Sequence, residues 1–241
     1  MERGGGVAAV VLAGGQGTRI RSVHPGVPKP MIPVAGAPFL RWVLLHLARQ
    51  GVTRAVISTG HLAPLIEAWV VGQPAPGVRL STAREERPLG TAGGFLHAVA
   101  TIEADAWDVV LVANGDSIVL ADLDPLLALA AAGAVGLVGV RVQDASRFGT
   151  LDVDADGRLR AFQEKRPGAA LINAGLYALP RAVVARLPRT TPASFEREVF
   201  PALIAAGAEV RVAETCAPFI DVGLPDDLAR AEAFVREELR A

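Results

Sequence analysis

Short apolar runs alternate with helical patterns along the first 143 residues, and this alternation most restricts the possible folds. Residues 7–12 form an apolar run that suits a strand buried on both faces, and residues 38–49 have apolar positions at helical spacing. The alternation continues through the segments 55–58, 61–71, 78–82, 91–101, 109–113, 122–132 and 134–142. This succession predicts an α/β fold with a mostly parallel sheet and helices on both faces.

The pattern changes near residue 145. Residues 148–165 alternate with period two around a turn at 154–157, which predicts a β-hairpin. Further strands are predicted at 171–178 and 210–213, and helices at about 194–206 and 225–239. The sequence shows no repeat and no linker. We therefore expect residues 144–241 to extend the sheet of residues 1–143 within a single domain, 1–241.

The composition argues against several classes of partner. Lys and Arg total 24 and Asp and Glu 25, so no general basic field is available to hold nucleic acid. The uncharged stretch 126–140 is shorter than the ~20 residues of a membrane span and is interrupted by glycines. The one cysteine, Cys216, allows no disulfide within the chain and fits a reducing compartment. We expect a cytoplasmic protein without a nucleic-acid or membrane partner.

A glycine-rich loop follows the first predicted strand. Gly14, Gly15 and Gly17 favour phosphate binding through backbone N–H groups, although neither the G-x-G-x-x-G fingerprint nor the Gly-Lys-Ser/Thr of a P-loop is present. Arg19 and Lys29 add fixed positive charge, as a nucleoside triphosphate requires. The alternative is a glycine-rich turn whose arginine is only solvated.

Two isolated carboxylates are candidate metal ligands. Asn114, Gly115 and Asp116 follow a predicted buried strand, and ligands of open parallel sheets bind at that edge. Asp221 follows an apolar pair, so it is expected to be partly buried and to need a partner or a metal. A magnesium ion suits both carboxylates. The alternative for Asp116 is a helix cap or a turn residue.

A third polar group, Glu164, Lys165 and Asn173, follows the hairpin. A carboxylate and an amide suit sugar hydroxyls, and the lysine suits a phosphate. By themselves these residues favour an ordinary charge pair at a strand end. With the glycine loop and the two carboxylates they describe phosphoryl or nucleotidyl transfer, which needs alignment and charge neutralisation more than a protein nucleophile.

The chain resembles the sugar-1-phosphate nucleotidylyltransferases, also called nucleotide-sugar pyrophosphorylases. The likeness begins at LAGGQGTRI…PKPMIPVAG and continues, in the family's order, through RPLGTAGG, NGDS, FQEK, INAGLY and FIDVG. It therefore covers nearly the whole chain. The resemblance implies a Rossmann-like mixed sheet flanked by helices, with a nucleotide-binding half at 1–143 and a sugar-phosphate-binding half at 144–241.

The resemblance also implies roles for single residues. Arg19, Lys29 and Asp116 are expected to be catalytic, with Arg19 on the triphosphate, Lys29 on the phosphates of the reacting pair, and Asp116 and Asp221 holding Mg²⁺. The nucleotide is expected to contact Leu12, Ala13, Gly14, Gly15, Gly17, Thr18, Glu85, Leu89, Gly90, Thr91, Asn114 and Gly115. The sugar phosphate is expected to contact Gly149, Glu164, Lys165 and Asn173. Its own oxygen attacks the α-phosphate in line, and pyrophosphate leaves.

Within this family, RSV…VPKPM and FIDVGLPDDLARAEAFV are most similar to the D-glycero-D-manno-heptose 1-phosphate guanylyltransferases. That likeness implies GTP and a heptose 1-phosphate as substrates and GDP-heptose as product, and it favours a homodimer. A mannose or hexosamine 1-phosphate enzyme using GTP or UTP is the alternative within the family, and a non-catalytic nucleotide-sugar sensor is the alternative outside it. Because the sequence ends after this domain, we expect neither the left-handed β-helix of acetylating relatives nor the extra domain of longer mannose enzymes.

Overall fold

The computed structural model describes residues 6–18, 20, 24–72, 77–103, 106–163 and 165–239. Two predicted site residues, Arg19 and Glu164, lie outside the described residues. The strands are β1 (Val7–Ala13), β2 (Pro33–Val34), β3 (Ala37–Pro38), β4 (Arg54–Thr59), β5 (Arg79–Arg84), β6 (Val109–Asn114), β7 (Ser117–Val119), β8 (Val135–Val142), β9 (Thr150–Val153), β10 (Leu159–Gln163), β11 (Ala170–Pro180), β12 (Val210–Thr215) and β13 (Phe219–Asp221). The helices are α1 (Phe39–Arg49), α2 (Ala63–Gly72), α3 (Gly90–Val99), α4 (Asp124–Ala131), α5 (Arg181–Val184), α6 (Phe200–Ala205) and α7 (Asp227–Phe234).

One nine-stranded sheet organises the molecule, and it confirms the predicted fold class. Its main order is β10-β9-β11-β6-β1-β4-β5, with β8 beside β11 and β12 beside β8. β6, β1, β4 and β5 are parallel neighbours, as are β8 and β12. β11 runs antiparallel to both β6 and β8, and so it joins the second half of the chain to the sheet of the first half.

β1 is buried on both faces because its residues alternate between two hydrophobic layers. Ala9 and Val11 pack in the layer that contains Phe39 of α1, whereas Val10 packs in the layer that contains Phe95 of α3. All five side chains are fully buried. The helices therefore cover both faces of the sheet. The carboxyl ends of its parallel strands, along one edge of the sheet, are left uncovered.

Two predicted helices differ in detail, and two short strand pairs, β2–β3 and β7–β13, were not predicted. The helix expected at 194–206 consists of a wider π turn, Phe195–Val199, followed by α6, since Pro201 carries no N–H for an α-helical bond. The terminal helix likewise continues from α7 into a π turn at Val235–Leu239. β13 pairs antiparallel with β7. Strands of three residues are too short to show an alternating pattern in the sequence.

None of the helices in the described segments is both long and apolar enough to span a bilayer.

Candidate active site

A cleft of about 470 Å³ opens at the carboxyl ends of the parallel strands. Its volume is in the range of small-molecule and cofactor sites. Its lining joins segments that are far apart in the sequence but end at this edge of the sheet. The lining residues are Leu12, Ala13, Gly14, Gly15, Gln16, Gly17, Thr18, Ile20, Lys29, Pro30, Glu85, Pro88, Gly90, Thr91, Asn114, Asp116 and Gly223.

The three glycines of the loop after β1 have different reasons to be glycine. A Cβ on Gly14 would lie 2.7 Å from Glu85 Oε1, so the loop passes too close to that carboxylate for any side chain. Gly17 has φ +57°, and a Cβ there would lie 3.1 Å from Cβ of Lys29. A Cβ on Gly15 would have no neighbour within 4 Å. Gly15 is therefore the glycine whose backbone is most open to a bound molecule.

Glu85, directly after β5, is fixed in the cleft wall. Its Oε1 accepts a hydrogen bond of 2.9 Å from Ser58 Oγ, and its Oε2 accepts one of 3.0 Å from the Leu89 backbone N–H. A Cβ on Gly94 would lie 2.5 Å from the same carboxylate, so α3 also packs tightly against it. Each carboxylate oxygen keeps a further lone pair for a ligand.

Lys29 joins the two predicted metal-binding carboxylates. Its Nζ donates to Asp116 Oδ2 at 2.6 Å and lies 3.9 Å from Asp221 Oδ2. The β7–β13 ladder brings the carboxylates together, since Asp221 pairs with Ser117 and the Val222 N–H donates to the Asp116 carbonyl. Two aspartates that are 105 positions apart in the sequence (221 − 116) thus face one ammonium group.

The electrostatics of Asp221 reflect this crowding. Burial raises the pKa of its carboxyl to about 6. The positive charge of Lys29 lowers this pKa, and the negative charge of Asp116 raises it. A divalent cation at this position would relieve both the burial cost and the repulsion between the two carboxylates.

The donor set fits a divalent cation that is shared with a substrate. Mg²⁺ is usually held by one or two carboxylates together with substrate phosphates. Asp116 and Asp221 supply two carboxylates. Over the described ranges, no cluster of three or more His, Cys, Asp or Glu side chains could hold an ion. Water molecules, or phosphate oxygens when the nucleotide is bound, would therefore complete the coordination.

Of the residues predicted to contact the sugar phosphate, the three that the structure describes do not line this cleft. They are Gly149, Lys165 and Asn173. The Asn173 N–H donates to the Gly149 carbonyl, which places these two predicted residues side by side. The Asn173 amide donates to Tyr177 Oη at 2.8 Å, and its Oδ1 accepts from the Gly175 N–H at 3.0 Å. Tyr177 Oη in turn donates to Glu196 at 3.0 Å. Lys165 is exposed beyond β10.

The remaining predicted nucleotide contacts lie at or beside the cleft. Leu89 is next to it through its bond to Glu85, and Gly115 is next to it because its N–H donates to the Leu12 carbonyl at 2.9 Å. The Thr91 hydroxyl accepts from the Phe195 N–H at 3.0 Å, which ties the start of α3 to the second half of the chain.

Sequence reasoning missed Arg147 and Asp227. The Arg147 guanidinium makes a double hydrogen bond to the Asp227 carboxylate and lies 3.7 Å from Asp221 Oδ1. An aspartate near the start of a helix is a visible sequence signal. Its pairing with an arginine 80 positions earlier is not visible in the sequence.

A family model described as nucleotidyl transferase matches residues 8–238. The mannose-1-phosphate guanylyltransferase of Mycobacterium tuberculosis is 38% identical over 232 residues, which are 94% of this chain and 64% of that protein. The chain thus spans slightly less than two thirds of that relative. The D-glycero-alpha-D-manno-heptose 1-phosphate guanylyltransferase of Aneurinibacillus thermoaerophilus is 30% identical over 227 residues, which are 93% of this chain and 96% of that protein.

A solved structure has the same fold. HddC from Yersinia pseudotuberculosis, complexed with GMP-PN, superposes with a TM-score of 0.83 at 33% sequence identity. The match covers 94% of this chain and 98% of HddC.

Proposed function

This chain belongs to the nucleotidyl transferase family, and we propose that it transfers a guanylyl group from GTP to a sugar 1-phosphate, forming a GDP-sugar and pyrophosphate. One observation carries the proposal. The glycine loop, Lys29, Glu85 and Asp116 line a single cleft of about 470 Å³ at the carboxyl edge of the sheet. The names of the similar guanylyltransferases and the HddC complex support the same reaction.

The base is proposed to be read by Glu85. Guanine presents N1–H and N2–H₂ donors on one edge, and a carboxylate accepts from both. Ser58 and the Leu89 N–H hold this carboxylate in place before the nucleotide arrives. Preorganised acceptors lose less entropy on binding and reject bases without matching donors.

The phosphates are proposed to lie over the open backbone at Gly15 and beside Lys29. Arg19, predicted from the sequence to contact the triphosphate, lies outside the described residues. Lys29 Nζ supplies a positive charge at a position fixed by Asp116. Asp116 and Asp221 would hold Mg²⁺. When bound, this ion neutralises phosphate charge and polarises the α-phosphoryl group. The protein aligns two anions that repel each other, and the sugar-phosphate oxygen attacks in line as pyrophosphate leaves.

The sugar phosphate is proposed to bind against Gly149 and Asn173, with Lys165 and Glu164 contributing from the segment after β10. Asn173 supports this assignment because both ends of its amide already have an internal partner. The amide orientation is thereby fixed. Because Asn173 Nδ2 also donates to Glu196 Oε1 at 3.5 Å, one lone pair of Oδ1 is the part of the amide that is left for a sugar hydroxyl.

Heptose 1-phosphate is the first proposed sugar, and mannose 1-phosphate is the second. The similar heptose enzyme matches over 96% of its own length, which favours the first. The similar mannose enzyme has the higher identity, 38%, which favours the second. Competition between the two sugar phosphates for one enzyme separates them. A cytoplasmic location and a homodimer stay predictions, and light scattering of the purified protein tests the dimer.

A pyrophosphate-release screen tests the reaction. Four nucleoside triphosphates are combined with heptose, mannose, glucose and N-acetylglucosamine 1-phosphates in the presence of Mg²⁺. We expect release with GTP and a manno-configured sugar. Absence of release from every pair would overturn the proposal.

Two variants test the assigned roles. Arg19→Ala is expected to lower kcat by about 100-fold with an unchanged circular dichroism spectrum, because a charge that stabilises the transition state is lost. Arg160→Ala, on the exposed hairpin, is its control. Glu85→Gln is expected to raise the KM for GTP about tenfold, whereas its exposed neighbour Glu86→Gln leaves that KM unchanged.

A further inference from the structure

Arg147 bridges two carboxylates of the second half of the chain. It lies in the loop between β8 and β9, and its Nη1 and Nη2 donate to the two oxygens of Asp227 at 2.8 and 2.5 Å. Its Nη2 also lies 3.7 Å from Asp221 Oδ1. One guanidinium group is therefore fixed by one aspartate while it faces the other.

Asp227 holds the guanidinium firmly because it is itself fully fixed. The residue is 1% exposed, and its Oδ2 also accepts from the N–H groups of Gly223 and Leu224 at 3.0 and 2.7 Å. Burial alone would raise the pKa of Asp227, but the hydrogen bonds from Arg147 and from these backbone groups lower it below its ordinary value. The ionised pair thus ties the loop that follows Asp221 to Arg147.

The backbone at Gly223 allows Asp221 and Arg147 to approach each other. A Cβ on Gly223 would lie 2.6 Å from Asp221 Oδ1 and 3.2 Å from Arg147 Nη2. Both groups therefore pack over the space that a side chain would fill. The contact turns Asp221 Oδ1 towards Arg147 and leaves Oδ2 on the side of Lys29 and Asp116.

Aromatic packing anchors the same loop to β13. The Arg147 guanidinium lies 5.7 Å from the ring centre of Phe148, and that ring meets Phe219 edge to face at 5.7 Å. Phe219 is the first residue of β13, the strand that ends at Asp221. Arg147 is thus held both by charge and by ring contacts to the strand that carries the carboxylate.

We propose that Arg147 is a positioning residue for Asp221: clamped by Asp227, it holds Oδ1 and so presents Oδ2 to a divalent cation shared with Asp116. This inference rests on the proposed function, because it takes Asp116 and Asp221 as the metal ligands. Arg147 acts through Asp221. Partners of this kind, one step removed from the ion, typically change metal affinity by about 10- to 100-fold when they are altered.

Direct metal binding tests the positioning role. Mn²⁺ binding to the nucleotide-free protein is measured by electron paramagnetic resonance at pH 8 for wild type, Arg147→Lys and the exposed control Arg160→Lys. Lysine keeps the positive charge, but its single ammonium group cannot make the double hydrogen bond to Asp227 and also face Asp221. We expect Arg147→Lys to bind Mn²⁺ about tenfold more weakly, with Arg160→Lys unchanged. In turnover assays, the KM for Mg²⁺ is expected to rise and kcat to recover at saturating metal.

The outcomes separate this inference from the proposed function. If Arg147→Lys lowers the melting temperature but binds Mn²⁺ as wild type does, the positioning role is wrong and the residue is only structural. The double variant Arg147→Met/Asp227→Asn removes both charges and avoids an unpaired buried carboxylate; normal Mn²⁺ binding by this folded variant would likewise contradict the positioning role. If Asp221→Asn binds Mn²⁺ normally, the metal assignment fails, and the inference fails with it.

Discussion

The two segments that carry the candidate metal ligands lie side by side but are held in place differently. Asp116 sits in the turn between β6 and β7, and the Gly115 N–H fastens this turn to the carbonyl of Leu12 in the central strand. Asp221 ends β13, and side chains from elsewhere, Arg147 and Asp227, hold the loop that follows it. Backbone bonds hold both segments, but only the segment of Asp221 is also held by the charged pair Arg147 and Asp227.

This difference predicts different sensitivities. A turn fastened by main-chain bonds depends on close backbone approach and tolerates changes of side chain. A segment held by a partly buried charge network depends on each charged partner, since removal of one leaves another buried and uncompensated. The following experiments are given in decreasing order of the change that we expect.

Both carboxylates are expected to be necessary for turnover, although their segments are held in place differently. Asp116→Asn and Asp221→Asn are each expected to lower kcat/KM by about 100-fold or more, because each removes an anionic ligand for the ion shared with the phosphates. Initial rates of pyrophosphate release measure the effect, with Asp152→Asn on the exposed face of β9 as the control. Wild-type turnover in either variant would contradict its role as a metal ligand.

The backbone fastening of the first segment is tested at Gly115. A Cβ there would lie 2.8 Å from the Leu12 carbonyl oxygen, so Gly115→Ala is expected to lower the free energy of unfolding by about 1–3 kcal/mol. Gly72→Ala is the matched control, since its Cβ would meet nothing within 4 Å. Chemical denaturation measures both proteins. Equal stability would show that the turn can shift away from β1 without cost.

The packing behind the first segment makes stability depend on pH. His46 of α1 shares a small cavity with Asn114 and Ser117, and burial lowers the pKa of its ring to about 4. The unfolded chain takes up this proton near pH 6.5, so the contribution of neutral His46 to the free energy of unfolding is fully present above that pH. As the pH falls from 6.5 towards 4, this contribution decreases by up to about 1.4 kcal/mol per pH unit. His46→Gln is expected to reduce this slope in urea titrations, and exposed His97→Gln to preserve it. Identical slopes for all three proteins would contradict a buried neutral His46.

The smallest change, one in Mn²⁺ affinity, is expected for Lys29, the cation between the two segments. Lys29 Nζ faces the same carboxylate oxygens that would hold a divalent ion, so the two positive charges repel each other. Lys29→Gln is therefore expected to bind Mn²⁺ about threefold more tightly in the absence of nucleotide, while its turnover falls. Calorimetry at pH 8 measures the affinity. Weaker Mn²⁺ binding would mean that Lys29 supports the ion site and does not compete with it.

Much of the fold was predictable because its signals are local. The alternation of strand and helix up to residue 142 and the hairpin near 154–157 are confirmed, with boundaries that shift by at most two residues. The π turn at Phe195–Val199 and the β7–β13 pair were not predicted. Three-residue strands gain their stability from a partner far away in the chain, and no period within them records that partner.

Residue order alone was enough to specify the parallel sheet and the glycine loop at its edge. These features follow from residue spacing, from glycine's lack of a side chain and from the rule that parallel strands present their carboxyl ends together. The candidate residues for the two substrates came from the resemblance of the sequence motifs to a known family. The folded structure was needed to show that Asp116 and Asp221 share Lys29, and that Arg147 and Asp227 stand behind Asp221. Contacts between side chains so distant in sequence depend on how the strands pair, and strand order is a property of the whole folded chain.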